Sequence, residues 1–225
     1  KTMFISRLLN AALVAVILIS SPSAFTQVLE EVVVTAQIRE QSLQDVPISV
    51  SAISGEDIAD RSVDNLQSLS ASVPNFMVVE TQIDTSISIR GVRSGANKGF
   101  EQSVPMNFDG IVYPRSQLAR TPLVDLERVE VLRGPQPTLF GKNAIGGAVS
   151  VTSAKPTEEF EGKFSTSHES EHGEDQSLLV LSGPLSDNLL GRLTVSTREM
   201  DGWITNTKMK RLEPQRDETY IRGQL

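Results

Sequence analysis

The chain has 225 residues, 39% of them hydrophobic and 5% aromatic, which is enough for one modest core with appendages. Its formal charge of −7 excludes a nucleic-acid binder, which needs a concentrated basic surface. With no cysteine it has neither a disulfide framework nor a lipid-attachment thiol, and this says nothing against export.

The amino-terminal residues differ in kind from the rest. Lys1 and Arg7 precede an apolar run from Leu8 to Ile19, and Ser20-Ser21-Pro22-Ser23-Ala24 is small, the layout of a secretory signal peptide over residues 1–24. The apolar run is about a dozen residues, short of the ~20 that a membrane-spanning helix needs. Residues 25–45 follow as a linker that carries the β-branched run Glu30 to Ala36. Such a run fits either an edge strand of its own domain or a strand that adds to another protein's sheet through backbone hydrogen bonds.

Val46 to Ile53 then alternates as a strand. Ser54 is a candidate N-cap with Glu56 and Asp57 in the first helical turn, and Asp64 to Leu69 reads as a second short helix stopped by Val73-Pro74-Asn75. Val78 to Ile83 and Ser86 to Ile89 read as strands. Arg93 to Glu101 is a glycine-rich loop, Asp109-Gly110 a hairpin turn between Val104–Phe108 and Ile111–Tyr113, and Pro114 to Arg120 a second exposed loop.

Leu126 to Pro156 is the most informative stretch. Glu127 to Leu132 alternates, with Val129 and Val131 on one face and Arg128 and Glu130 on the other, the period of a half-buried strand. Arg133-Gly134-Pro135 supplies a turn, Phe140-Gly141 and Gly146-Gly147 punctuate a short polar segment, and Ala148 to Thr152 is a second strand. A phosphate loop fails in detail, because six residues separate Gly134 from Gly141 and Asn143 stands where a hydroxyl should follow the lysine.

Beyond Pro156 come long alternating strands, Phe160 to Glu169, Ser177 to Gly183, Leu189 to Arg198 and Glu218 to Leu225. A soluble sandwich has the same period. The tight connection Leu185–Asn188 against the long charged one, Asn206–Asp217, matches the short turns and long loops of an outer-membrane barrel, and Trp203 suits an interface girdle. His168-Glu169-Ser170-Glu171-His172 fits the zinc pattern H-E-x-x-H, which needs both histidines on one helix face. On a strand they stand roughly 13 Å apart, too far to share one metal, and no third ligand follows at a recognisable spacing.

The run from Glu127 to Val151, E-R-V-E-V-L-R-G-P-Q-P-T-L-F-G-K-N-A-I-G-G-A-V-S-V, resembles the end of the plug domain of TonB-dependent outer-membrane receptors. Ile87-Ser88-Ile89-Arg90-Gly91-Val92 resembles the I-R-G motif of the same plug, and Glu31-Val32-Val33-Val34-Thr35-Ala36 resembles the TonB box. One departure is Pro137, where the family most often has glycine; proline cannot supply a positive φ if that turn requires one.

The resemblance implies an α+β plug domain over residues 46–156, followed over 157–225 by the first antiparallel strands of a transmembrane β-barrel. A barrel of about 22 strands is incomplete in this chain, so the expectation is an amino-terminal fragment. The implied function is a receptor rather than an enzyme, without a cofactor, importing a scarce nutrient. Ferric siderophores lead the ligand classes, with cobalamin, saccharides and aromatic compounds also open.

Glu31, Val32, Val33, Val34, Thr35 and Ala36 would couple to TonB and its ExbB–ExbD energising complex. Arg93, Ser94, Asn97, Lys98, Phe100, Glu101, Tyr113, Arg115, Ser116 and Gln117 would touch ligand, and Arg90 and Arg133 would pair with barrel glutamates. Outer-membrane lipid is an implied partner. Two other classes stay open: a secreted zinc-dependent hydrolase using His168 and His172, and a truncated plug module without transport.

Overall fold

The computed structural model describes residues 33–34, 41–42, 47–80, 85–94, 101–171 and 173–225. The signal-peptide reading and most of the box lie outside them. Within the box, the backbone of Val33–Val34 (β1) pairs antiparallel with Gln41–Ser42 (β2).

Ser49–Ser54 (β3) leads into Gly55–Asp60 (α1), where the Ser54 Oγ accepts from the Asp57 N–H at 3.0 Å, as the N-cap reading required. A Cβ at Gly55 would overlap the Leu126 carbonyl oxygen, so the start of α1 lies against the chain next to Asp125. Leu66–Ser70 (α2) is capped in the same way by Asn65, whose Oδ1 accepts from the Ser68 N–H at 2.8 Å. Phe76–Glu80 (β4), Thr85–Ile89 (β5) and Val92–Arg93 (β6) form a three-stranded sheet.

Met106–Phe108 (β7) and Ile111–Tyr113 (β8) flank the Asp109-Gly110 turn, where φ values of 49° and 84° give the twist that suits a tight hairpin. Pro114 to Arg120 is not an exposed loop throughout. Ser116–Arg120 is a 3-10 helix in which Ala119 is buried, and Arg120 Nε donates to Thr85 Oγ1 at 2.9 Å.

Leu126–Arg133 (β9), Pro137–Phe140 (α3) and Gly147–Ser153 (β10) complete the domain, with a five-stranded sheet in the order β3-β9-β10-β7-β8. One face packs Val129, Val131 and Val149 against Leu66, Leu69, Ile87 and Ile89; the other packs Leu132 and Ala148 against Phe140 and Ala144. β9 is therefore buried on both faces, not half-buried. Its alternation misleads because the inward Glu130, 0% exposed, has its own counter-charge in Arg128, whose Nε donates to Glu130 Oε1 at 2.9 Å.

Pro137 is accommodated without strain. It occupies the first turn of α3, where its missing N–H costs no hydrogen bond and its fixed φ fits a helix. The positive φ angles fall instead on Gly134 and Gly141, at 92° and 86°.

The remainder is a four-stranded antiparallel sheet of Glu161–Glu169 (β11), Glu174–Ser186 (β12), Leu189–Met200 (β13) and, after a hairpin of Ile204–Asn206 (β14) and Arg211–Glu213 (β15), Arg216–Gln224 (β16). β12 and β13 are 13 and 12 residues long, beyond the 9–11 or so that a tilted strand needs to cross a bilayer. Their faces divide cleanly. Phe164, Leu181, Leu193 and Ile221 are exposed on one side, whereas Thr194 and Ser196 are buried on the other, against the mixed domain. Among the described residues the sheet is open, with β11 and β16 as its edges. No helix among the described residues is long and apolar enough to cross a membrane, which says nothing of strands.

Candidate functional site

One end of the mixed domain gathers the segments that the sequence assigned to ligand. The Ser94 Oγ lies 2.9 Å from the Ser103 Oγ and accepts from the Ser103 N–H at 2.6 Å. The Gln102 N–H donates to the Pro114 carbonyl at 2.6 Å, and the N–H groups of Ile145 and Gly146 donate to the Ser103 carbonyl at 3.1 and 3.0 Å. Ser94, Glu101 and the Tyr113–Pro114 turn are thus brought beside the loop after α3. Glu101 accepts from Asn143 Nδ2 and faces the exposed Lys142 Nζ at 3.8 Å.

Lys142 and Asn143 were missed by sequence reasoning, although a lysine and an asparagine directly after the Phe140-Gly141 turn were a usable signal. Arg93 sits exposed on β6, and Arg115 is also exposed. Asn97, Lys98 and Phe100, and the side chains of Ser116 and Gln117, lie outside the described residues.

Arg90 follows β5 and Arg133 ends β9. Arg90 has φ of 52° and an exposed side chain, with its N–H held by the Asn75 carbonyl at 2.8 Å. Arg133 binds back across β3, with Nη1 donating to Ser49 Oγ at 3.0 Å and Nη2 to Ser51 Oγ. No carboxylate pairs with either among the described residues.

The ionic junction between the two parts lies elsewhere, at Asp125. This residue ends the segment before β9 with φ of 55°, and its side chain is only 7% exposed. Arg192 of β13 donates through Nε to Oδ2 at 2.9 Å and through Nη2 to Oδ1; Thr194 Oγ1 donates to Oδ2. Arg222 of β16 donates to Oδ2 at 2.9 Å and also reaches the carbonyls of Val124 and Asp125. Burial pushes the Asp125 carboxyl up, but the hydrogen bonds from Arg192 and Thr194 and the charges of Arg192 and Arg222 outweigh it and hold it below its ordinary value.

A second junction behaves oppositely. Arg198 Nη2 lies 3.1 Å from Asp64 Oδ2 and 2.7 Å from Glu174 Oε1. Burial, reinforced by the nearby Glu174, raises the Asp64 carboxyl above its ordinary value despite Arg198. One neutral contact supports the junctions: Gln224 Nε2 donates to Ser153 Oγ at 2.8 Å.

His168 lies on β11, exposed, with Nδ1 2.8 Å from Asp175 Oδ1, and His172 lies outside the described residues. No cluster of three or more His, Cys, Asp or Glu groups is poised to hold a metal among the described residues.

Residues 42–148 match the model of the TonB-dependent receptor plug domain. The chain belongs to the TonB-dependent receptor family. It is 34% identical over 201 residues to the iron-regulated outer membrane virulence protein of Vibrio cholerae, covering 82% of this chain and 30% of that protein. It is 28% identical over 210 residues to the pesticin receptor of Yersinia pestis, covering 91% of this chain and 31% of that one. The crystal structure of the ferric yersiniabactin uptake receptor of Yersinia pestis superimposes with a TM-score of 0.68 at 25% identity, over 78% of this chain and 28% of that one.

This receptor chain therefore spans about 30% of the length of the curated relatives it matches. The mixed domain is its plug, and the long antiparallel strands are the wall against which the plug is seated. The family comprises receptors and transporters, not enzymes.

Proposed function

We propose that this chain works as part of an outer-membrane receptor of a Gram-negative bacterium that imports a ferric siderophore by energy-coupled rearrangement of its plug. The observation that carries this reading is the seating of the plug on the polar face of a strand sheet whose opposite face is apolar, with Asp125, Arg192 and Arg222 at the junction. Relatives named for iron regulation and for ferric yersiniabactin uptake support iron as the cargo.

In this reading the end of the plug that carries Ser94, Glu101, Arg115, Lys142 and Asn143 meets the ligand, together with the loop around Asn97, Lys98 and Phe100. Glu31 to Ala36 is the segment that TonB grips, with ExbB–ExbD supplying energy. The antiparallel pairing of Val33–Val34 with Gln41–Ser42 supports a backbone already inclined to strand addition. Arg90 and Arg133 stand ready for carboxylates of further wall strands.

The test is uptake of radio-iron-labelled ferric yersiniabactin and ferric enterobactin by cells that depend on this receptor. Accumulation that requires TonB supports the reading. Equal accumulation with and without the receptor, for every chelate tried under iron limitation, overturns it.

A further inference from the structure

The outward face of the wall is banded across its strands. Phe164, Leu179, Val195 and Ile221 stand in one row by the register of β11, β12, β13 and β16. The next row toward the β13–β16 connection is Thr166, Ser177, Thr197 and Thr219, and the one after it is His168, Asp175, Glu199 and Asp217. Apolar side chains thus give way to hydroxyls and then to charge between Val195 and Glu199, roughly 13 Å along the strand. Ionised side chains are costly in hydrocarbon, so the apolar layer of a membrane ends below the charged row. The turn from β12 to β13 is tight and the connection from Met200 to Arg216 long, which puts the charged row on the outer side of the membrane.

The β14–β15 hairpin starts beyond that row, at the height of lipid headgroups. Its tip is fixed by Asn206, whose Oδ1 accepts from the N–H groups of Lys208 and Met209 at 3.1 and 2.9 Å and whose carbonyl accepts from the Lys210 N–H at 2.7 Å. Lys208, Met209 and Lys210 are therefore presented together, and all three are exposed. Arg211 Nε lies 2.7 Å from Glu213 Oε1, so the net charge of the tip rests on the two lysines. Leu212 stands opposite Thr205 on one hairpin face and Ile204 on the other; both are exposed, as is Trp203 at the base. Neither face of the hairpin is laid against the plug.

We propose that this hairpin binds the phosphorylated saccharide headgroup of an outer-leaflet glycolipid and so fixes the rim of the wall in the membrane surface. The lysines attract phosphate, as basic clusters beside a membrane do, and Trp203 offers an aromatic face to a sugar ring. Asp175, Glu199 and Asp217 repel phosphate from their own row, so the charge of the headgroup meets the protein at the tip above them. The proposal requires the wall to lie in the outer membrane and is independent of the cargo imported.

The full-length receptor, purified in detergent, is titrated with intact lipopolysaccharide, with phosphatase-treated lipopolysaccharide and with ferric yersiniabactin. Lys208→Gln combined with Lys210→Asn removes both charges, and asparagine tolerates the φ of 54° at position 210. This double variant is expected to bind intact lipopolysaccharide about tenfold or more weakly, while Lys208→Arg retains full affinity. The unsubstituted receptor should prefer the intact over the dephosphorylated lipid by a similar factor. Unchanged affinity in the double variant, or equal binding of the two lipid forms, overturns the proposal. Loss of ferric yersiniabactin binding with lipid affinity intact would make the hairpin part of the cargo entrance and overturns it as well. Failure of the unsubstituted receptor to import any ferric chelate overturns the import reading alone.

Discussion

Asp125 and Arg192 are joined through both carboxylate oxygens although they lie 67 residues apart, with the Nε–Oδ2 bond at 2.9 Å. Arg222, from a third segment, adds a second positive charge to the same carboxylate. The plug thus contributes the acid and the wall the bases, the reverse of the polarity expected for Arg90 and Arg133. The two arrangements are compatible, because they occupy different parts of the plug. What Asp125 adds is a buried anchor at the point where the chain turns into β9.

Removing that anchor leaves two guanidinium groups facing the plug without their carboxylate. Asp125, Arg192 and Arg222 are 7%, 11% and 10% exposed, so water only partly replaces the lost partner. Asp125→Ala is expected to destabilise the chain by ~3–5 kcal/mol, the usual cost of breaking a buried ion pair from one side. Asp125→Ala combined with Arg192→Ala should cost less than the sum of the two single changes, since they share one interaction. Urea unfolding of the detergent-solubilised protein measures both. A loss below about 1 kcal/mol for Asp125→Ala would place the pair with solvent-exposed bridges.

The two junctions should part at different pH. Asp125 has a folded pKa below its unfolded one, so its contribution is fully present above the unfolded value and is lost as pH falls through the folded one. Asp64 has a folded pKa raised above its unfolded one, so its ionised form is disfavoured by folding and acid relieves that cost. On acidification Asp64 therefore takes its proton first and loosens from Arg198 while Asp125 still holds Arg192. Carboxyl carbon shifts followed through a pH titration should give midpoints on opposite sides of 3.8, Asp64 above and Asp125 below. The opposite order would contradict the environments described for both groups.

Features whose cause is local were readable in the sequence. Ser54 and Asp57 are three residues apart and cap α1 as expected. Asp109-Gly110 makes its hairpin turn, and the alternation along β13 places Leu193 outward and Thr194 inward. What escaped were contacts between distant segments. Val124-Asp125 reads as an ordinary connection, and nothing near it marks partners in β13 and β16. Glu130 looked solvent-facing because the cover over that face comes from Phe140 and Ala144, beyond a turn whose helix α3 was itself not expected. Pro137 was the local clue to that helix, since proline favours a first-turn position.

That position yields its own test. Proline at the start of α3 restricts the unfolded chain without opposing the native backbone, so Pro137→Ala should destabilise by about 0.4–1 kcal/mol through unfolded-state entropy. Pro137→Gly should cost more, because glycine widens the unfolded ensemble further. Thermal unfolding of the two variants ranks them. Stabilisation by Pro137→Gly would mean that the turn prefers a backbone conformation proline denies it.

The outward face of the wall makes the last prediction. Leu193 lies on β13, an interior strand of the sheet, with Leu181 opposite it on β12 and Gly223 on β16, and it is 42% exposed. If this face meets lipid, Leu193→Arg places a charge in hydrocarbon, at a cost of about 2–4 kcal/mol near the bilayer centre and about 0–1 at its edge. Leu189→Arg, at the turn end of the same strand, should cost less than Leu193→Arg. Guanidinium unfolding from lipid vesicles measures the difference. Equal and small costs at the two sites would mean that water, not lipid, covers this face, and the apolar residues from Phe164 to Ile221 would then need another protein surface to bury them.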